Sequence, residues 1–227
     1  MSNLMDRASS PDFVENQVTT EHASVTSIVK RGMDIVLSLM GLVFALPLMV
    51  IIAVLIKSSD GGKILFSQKR IGLHGKTFNC FKFRTMVMDA NAQLQNLLET
   101  DEAAQLEWST TQKLKNDPRI TWLGNFLRKS SLDELPQLIN ILRGEMSLVG
   151  PRPIVNSEIP KYGPFYPSYV SVRPGLTGPW QVSGRSNTEY HERVEMDRDY
   201  AENWSVVSDV AIVARTVPAL LLSRGAI

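Results

Sequence analysis

About twenty-two consecutive residues, Ile35 to Ile56, carry no charged side chain in a chain of 227 residues, and Pro47 sits just past their middle. A continuous helix of that length would reach about 33 Å at 1.5 Å per residue, enough to cross a hydrocarbon core of about 30 Å. Pro47 complicates a simple span, because it removes a backbone donor and crowds the carbonyl one turn earlier, so a kink is expected near Leu46. Lys30 and Arg31 precede the run, and Lys57, Lys63, Lys69 and Arg70 follow it. Basic residues near membrane ends favour the cytoplasmic side, and here both ends carry them. The expectation is a re-entrant segment that enters and leaves by one leaflet, with a kinked span and a buried core helix as the alternatives. The run is too long and begins too far into the chain for an ordinary secretory signal, so it is expected to be retained.

Lys and Arg number 24 against 23 Asp and Glu, a net charge of +1, which gives no global nucleic-acid signature. The single cysteine, Cys80, excludes an internal disulfide, and three histidines provide no zinc spacing. Residues 1–27 mix Ser, Thr, Asn, Glu and Pro without apolar periodicity and read as a mobile tail. Residues 28–57 are the expected membrane segment, and 58–227 are long enough for one compact domain. Within it, Ile64–Gln68 and Phe78–Phe83 flank a Gly72–Gly75 turn and suggest two paired strands. Met88 to about Leu114 is helical in pattern, with Asp101 a cap for a second helix after Thr100. Trp122–Arg128 reads as a short amphipathic helix. Seven prolines between Pro151 and Pro179 favour loops around a site. Val206–Leu222 closes the chain as an apolar-faced helix, with Trp204 placed where an interfacial anchor is expected and core packing as the alternative.

Adjacent carboxylates in Ser130-Ser131-Leu132-Asp133-Glu134-Leu135-Pro136-Gln137 are the chemical centre. Ser131 and Glu134 match a capping box, so helix capping is the plain alternative to catalysis. Pro136 favours Leu132 or Asp133 as the cap of a helix running to Leu142, since that places the proline in the donor-free first turn. Neighbouring helical residues point in different directions, so Asp133 and Glu134 are expected to perform separate tasks. Arg128 and Lys129 lie just upstream, and Gly150-Pro151-Arg152-Pro153 carries a further guanidinium between two prolines that limit its freedom. Arg173-Pro174-Gly175-Leu176-Thr177-Gly178-Pro179-Trp180-Gln181-Val182-Ser183-Gly184-Arg185 adds two arginines among glycines that permit close backbone approach.

In the order and spacing of these motifs, together with Lys30-Arg31 and Phe81-Lys82-Phe83-Arg84-Thr85-Met86, the chain resembles the bacterial sugar transferases, the monotopic phosphoglycosyl transferases. Asp60-Gly61-Gly62 and Ser223-Arg224-Gly225 make it look most like the short members that initiate exopolysaccharide with galactose 1-phosphate. Leu46 stands where the family's membrane bend commonly has serine. The resemblance implies an α/β fold, mainly helical with a small β-hairpin or sheet, on a re-entrant membrane helix with interfacial amphipathic helices. It implies transfer of a hexose 1-phosphate from a UDP-sugar to undecaprenyl phosphate, with release of UMP. Asp133 would be the nucleophile and Glu134 a Mg²⁺ ligand, with Asp133 sharing the ion. Arg128 and Arg152 would clamp phosphate, Lys82 and Arg84 would contact phosphate or membrane, and Gln181 and Arg185 nucleotide or sugar. Nearby cations and the helix N-terminus are expected to keep Asp133 ionised. The place implied is the cytoplasmic face of the bacterial inner membrane, in contact with membrane lipids, and a homodimer is left open. Glucose specificity, a direct single displacement and a non-enzymatic scaffold are the competing readings.

Overall fold

The computed structural model describes residues 28–111, 113–183 and 189–221; the expected tail, residues 1–27, lies outside them. Helix α1, Ile28–Asp60, runs for 33 residues as one helical element with Pro47 inside it, three residues beyond the expected end. Its buried residues fall at Lys30, Asp34, Ser38, Ile52 and Ile56, a stripe of helical spacing. The remaining faces display exposed apolar side chains from Ile35 through Phe44 to Leu55. Only 17% of its most apolar window is buried, which removes the core-helix alternative.

The stripe is held from end to end by the rest of the chain. Lys30 Nζ lies 2.6 Å from Asp209 Oδ2, and Arg31 donates to the carbonyls of Ile141 and Leu142 at 2.7 and 3.0 Å. One turn on, Asp34 Oδ1 accepts from Ser147 Oγ at 3.0 Å and from Leu148 N at 2.9 Å. At the other end Ile52 and Ile56 pack with Phe83 and Leu127, and Asp60 pairs with Arg84.

Strands β1, Leu65–Ile71, and β2, Thr77–Phe83, form the expected antiparallel hairpin, with Gln68 opposite Cys80 and Phe66 opposite Lys82. Helices α2, Ala90–Thr100, and α3, Glu102–Thr111, follow. Asp101 Oδ1 accepts from Ala103 N and Ala104 N at 2.9 and 3.1 Å, the predicted cap. Helix α4, Trp122–Lys129, is capped by Thr121, which accepts from Gly124 N. Its Leu127 is fully buried while Trp122 is 85% exposed. Helix α5 is Gln137–Leu142, and β3, Ser147–Val149, follows it. Two short helices, α6, Ile159–Tyr162, and α7, Tyr166–Val170, carry the proline-rich stretch. Strand β4, Gly175–Thr177, then pairs in parallel with β3. Helices α8, Pro179–Ser183, α9, Tyr190–Glu202, and α10, Val206–Leu221, complete the fold.

Trp204 does not stand free as an interfacial anchor. Its Nε1 donates to Asp209 Oδ2 at 3.0 Å, and Lys30 Nζ sits 5.8 Å from its ring centre. The buried carboxylate at position 209 draws the indole inward, because an indole N–H inside a protein needs an acceptor.

Gly124 allows α4 to lie against the chain after β2: a Cβ there would stand 1.9 Å from the Thr85 carbonyl oxygen. Gly124→Ala is therefore expected to cost about 1–3 kcal/mol by overpacking. An unchanged melting temperature would contradict this contact.

Candidate active site

The turn that carries the two carboxylates is set by Ser131, whose φ of 56° reverses the chain just past α4. Leu132–Glu134 then wind as one 3₁₀ turn, with Leu135 N donating to Leu132 O at 3.3 Å. The following helix has Pro136 at its N-cap, so the expected helix from Leu135 capped by Leu132 or Asp133 is not formed. Ser131 makes no side-chain capping bond among the described residues, and the capping box is absent. A serine in the left-handed region aims its hydroxyl away from the amides a cap must satisfy.

Both carboxylates converge on one ammonium. Lys82 Nζ lies 2.6 Å from Glu134 Oε1 and 3.6 Å from Asp133 Oδ2. The expectation that the two acids perform separate tasks because they point in different directions meets a cation that bridges them: Lys82, reaching across from β2, contacts both carboxylates. Lys82 is thus the central cation of the site. Its pKa is raised: burial opposes its charge, and Glu134 and Asp133 outweigh that. Glu134 lies below its ordinary value, since Lys82, Arg152 and Arg70 overcome the cost of burial. Asp133 moves the other way. Burial raises its pKa, and Glu134 adds to the rise while Lys82 and Arg128 oppose it. The cations expected to keep Asp133 ionised, Lys82 and Arg128, do act in that direction, but the closer contact of Lys82 is to Glu134, 2.6 Å against 3.6 Å.

The arginines divide between the site and the scaffold. Arg128 donates from Nε to Thr85 Oγ1 at 2.9 Å and is near enough to lower the Asp133 pKa. Arg152 is near enough to lower that of Glu134, with its guanidinium 5.3 Å from the Trp180 ring centre. The Pro-Arg-Pro backbone is fastened by Arg70, which donates to Pro153 O at 2.9 Å, and by Tyr169 Oη, which accepts from Ile154 N at 3.1 Å. Arg84 is drawn instead to Asp60 at the end of α1, where it ties the apolar helix to the hairpin. Gln181 lies on α8 directly after Trp180. Arg185 lies outside the described residues.

The glycines of the two basic motifs pack against each other. A Cβ on Gly175 would stand 2.2 Å from Gly150 N, and one on Gly178 2.1 Å from Gly150 O. These glycines therefore bring β4 against the Pro-Arg-Pro turn and so place Trp180 beside Arg152. Trp180 and Arg193 were not singled out by sequence reasoning, yet the Arg193 guanidinium also lies 5.0 Å from the Trp180 ring centre. An aromatic residue beside a glycine-proline pair was the only local signal of that contact.

The family model described as bacterial sugar transferase matches residues 25–223. A protein of Sinorhizobium fredii named exopolysaccharide production protein ExoY is 46% identical over 219 residues, 96% of this chain and 97% of its own length. The chain is a bacterial sugar transferase. This sugar transferase is also 48% identical to the undecaprenyl-phosphate galactose phosphotransferase of Salmonella typhimurium, over 87% of its length but 41% of that longer protein. It is 40% identical to the UDP-glucose:undecaprenyl-phosphate glucose-1-phosphate transferase of Escherichia coli, over 87% of its length and 41% of that protein.

Among the described residues the transferase has no cluster of three or more metal-ligating side chains. An all-protein metal cage does not fit here. Two adjacent carboxylates do suit Mg²⁺, which is commonly held by one or two carboxylates together with substrate phosphates and waters.

Proposed function

We propose that this sugar transferase moves a hexose 1-phosphate, galactose 1-phosphate by preference, from a UDP-sugar to undecaprenyl phosphate and releases UMP, as the first membrane step of exopolysaccharide synthesis. The observation that carries the reading is the convergence of Asp133 and Glu134 on Lys82 with Arg128 and Arg152 alongside. The activities for which the Salmonella and E. coli relatives are named support the acceptor and the reaction class, and the galactose name of the more similar of these two supports the sugar.

In the first displacement an Asp133 carboxylate oxygen attacks the sugar-bearing phosphorus, and the bond from that phosphorus to the bridging oxygen breaks. UMP leaves with the electron pair, and the phosphosugar stays on Asp133. In the second, an oxygen of the lipid phosphate attacks the same phosphorus and frees the carboxylate. Arg128 and Arg152 take up charge on the phosphoryl oxygens, and Lys82 keeps Asp133 within reach of its ionised form. Mg²⁺, held by Glu134 with Asp133 sharing it, would supply neutralisation of the diphosphate.

The packing of α1 supports embedding from one leaflet. A helix of 33 residues is about 50 Å long, yet Lys30 and Arg31 at its start and Asp60 at its end bind the same body of protein. A single span would put those ends on opposite sides of the bilayer. Exposed Trp122 and Phe126 on α4 and Val207 and Val210 on α10 give further apolar surface for the interface. We place the catalytic domain on the cytoplasmic face of the inner membrane, where nucleotide sugars are made. Cysteines introduced by Ile28→Cys and Lys63→Cys should both react with an impermeant thiol reagent from the cytoplasmic side only. Native Cys80 will not interfere, because burial pushes its thiol up to about 11. Labelling of the two from opposite sides would overturn the topology.

The reaction is tested by a UMP-release screen across UDP-sugars, with and without polyprenyl phosphate, in the presence of Mg²⁺. UDP-galactose should give the highest lipid-dependent turnover. Preference for UDP-glucose would replace the sugar, and no UMP from any donor would overturn the reaction.

A further inference from the structure

Asn140 on α5 is fully buried, at 0% exposure, and its side chain is directed at the hairpin. Its Oδ1 accepts from Phe81 N at 3.0 Å, and its Nδ2 donates to Asn79 O at 2.8 Å and to Glu145 Oε2 at 2.6 Å. A carbonyl and an amide two residues apart on one edge of a strand are what a neighbouring strand would bond. Among the described residues the hairpin sheet has two strands, β1 and β2. We propose that Asn140 is a positioning residue: its amide takes the place of a third strand on the free edge of β2 and so fixes Lys82 against Asp133 and Glu134.

The geometry supports action at this distance. Lys82 follows Phe81 directly, and Phe78, Cys80 and Lys82 alternate onto one face of β2. Phe78 and Cys80 pack with Leu138 and Ile141 of α5. Helix α5 begins at Gln137, three residues after Glu134. Arg31 holds the opposite end of α5 through the Ile141 and Leu142 carbonyls. With α5 so held, the side-chain amide of Asn140 sets where the strand carrying Lys82 runs relative to the acids. A buried asparagine that meets both a strand donor and a strand acceptor tolerates little slippage, because any shift leaves a buried polar group unpaired.

The inference rests on the proposed reaction for its kinetic readout and stands apart from it in a second, structural one. Asn140→Leu in the full chain, in lipid nanodiscs, should lower kcat by about 10–100-fold with KM for the UDP-sugar changed less than about threefold. In a Lys82→Met background the same substitution should add little further loss, since both act through one ammonium. Amide exchange at Phe81 should quicken at least tenfold in Asn140→Leu while the amides of β1 keep their protection. Full additivity with Lys82→Met, a loss confined to melting temperature, or unchanged Phe81 exchange would each overturn the proposal. Should Asn140→Leu fail to fold, Asn140→Asp, which keeps the acceptor and loses the donors, is read in the same way. Absence of turnover in the unmodified protein would count against the proposed reaction, while the exchange measurement would still decide whether Asn140 supports the strand.

Discussion

Asp133→Asn is expected to abolish turnover, by about 10⁴-fold or more, while leaving the protein folded and bound to membrane. An amide cannot serve as the attacking oxygen, and losing a nucleophile costs far more than losing a supporting contact. The melting temperature should hold or rise at neutral pH, because the substitution removes a charge that burial disfavours. The sign follows from the raised pKa of Asp133. A carboxyl whose folded pKa lies above its unfolded value contributes stability at low pH that is lost as pH rises through the folded pKa. The advantage of Asp133→Asn over the unmodified chain should therefore be absent below the ordinary carboxylate range and appear above the raised pKa. A thermal melt at two pH values, alongside UMP release, checks both parts. Retained turnover would remove Asp133 as the nucleophile.

Lys82→Met is the second large effect. It leaves Glu134 and Asp133 beside each other without the cation found 2.6 and 3.6 Å away. Breaking a fully buried pair costs about 3–5 kcal/mol. Here about 2 kcal/mol is expected, because the Glu134 side chain is 35% exposed and water screens it. Lys82 lowers the Asp133 pKa, so its removal lets that pKa climb further. Activity requires ionised Asp133, and the acid limb of kcat/KM should move to higher pH. The loss should thus be greatest at low pH and shrink as pH rises, with a residual deficit of about 10²-fold from the missing positive charge. A pH profile unmoved by Lys82→Met would mean that the ammonium does not govern Asp133.

Much of the local structure was legible because local patterns have local causes. The hairpin followed from alternation around a glycine turn, α3 from the Asp101 cap, and α4 from its apolar spacing. The motif residues Asp133, Glu134, Arg128 and Arg152 were legible as a group, and the fold brings them to one site around Lys82. What the sequence did not reveal lies in contacts between distant segments. Lys82 meets Glu134 across 52 positions and Asn140 meets Asn79 across 61. Trp204 was read from its place at a helix start, whereas its surroundings are set by Asp209 and by Lys30 from the far end of the chain. The glycines of the second basic motif do permit the expected close backbone approach, but that they make it to Gly150 was not legible. Periodicity reports which face of an element is apolar, and it carries no record of which other element covers that face.

The most direct test of the central claim is an intact-mass measurement on purified protein in lipid, incubated with a UDP-sugar and Mg²⁺ but without polyprenyl phosphate. The covalent route predicts a mass increase of one phosphohexose on Asp133, lost when polyprenyl phosphate is added and absent in Asp133→Asn. An unmodified mass under conditions that support full lipid-dependent turnover would contradict the account, and would assign the attack to the lipid phosphate itself.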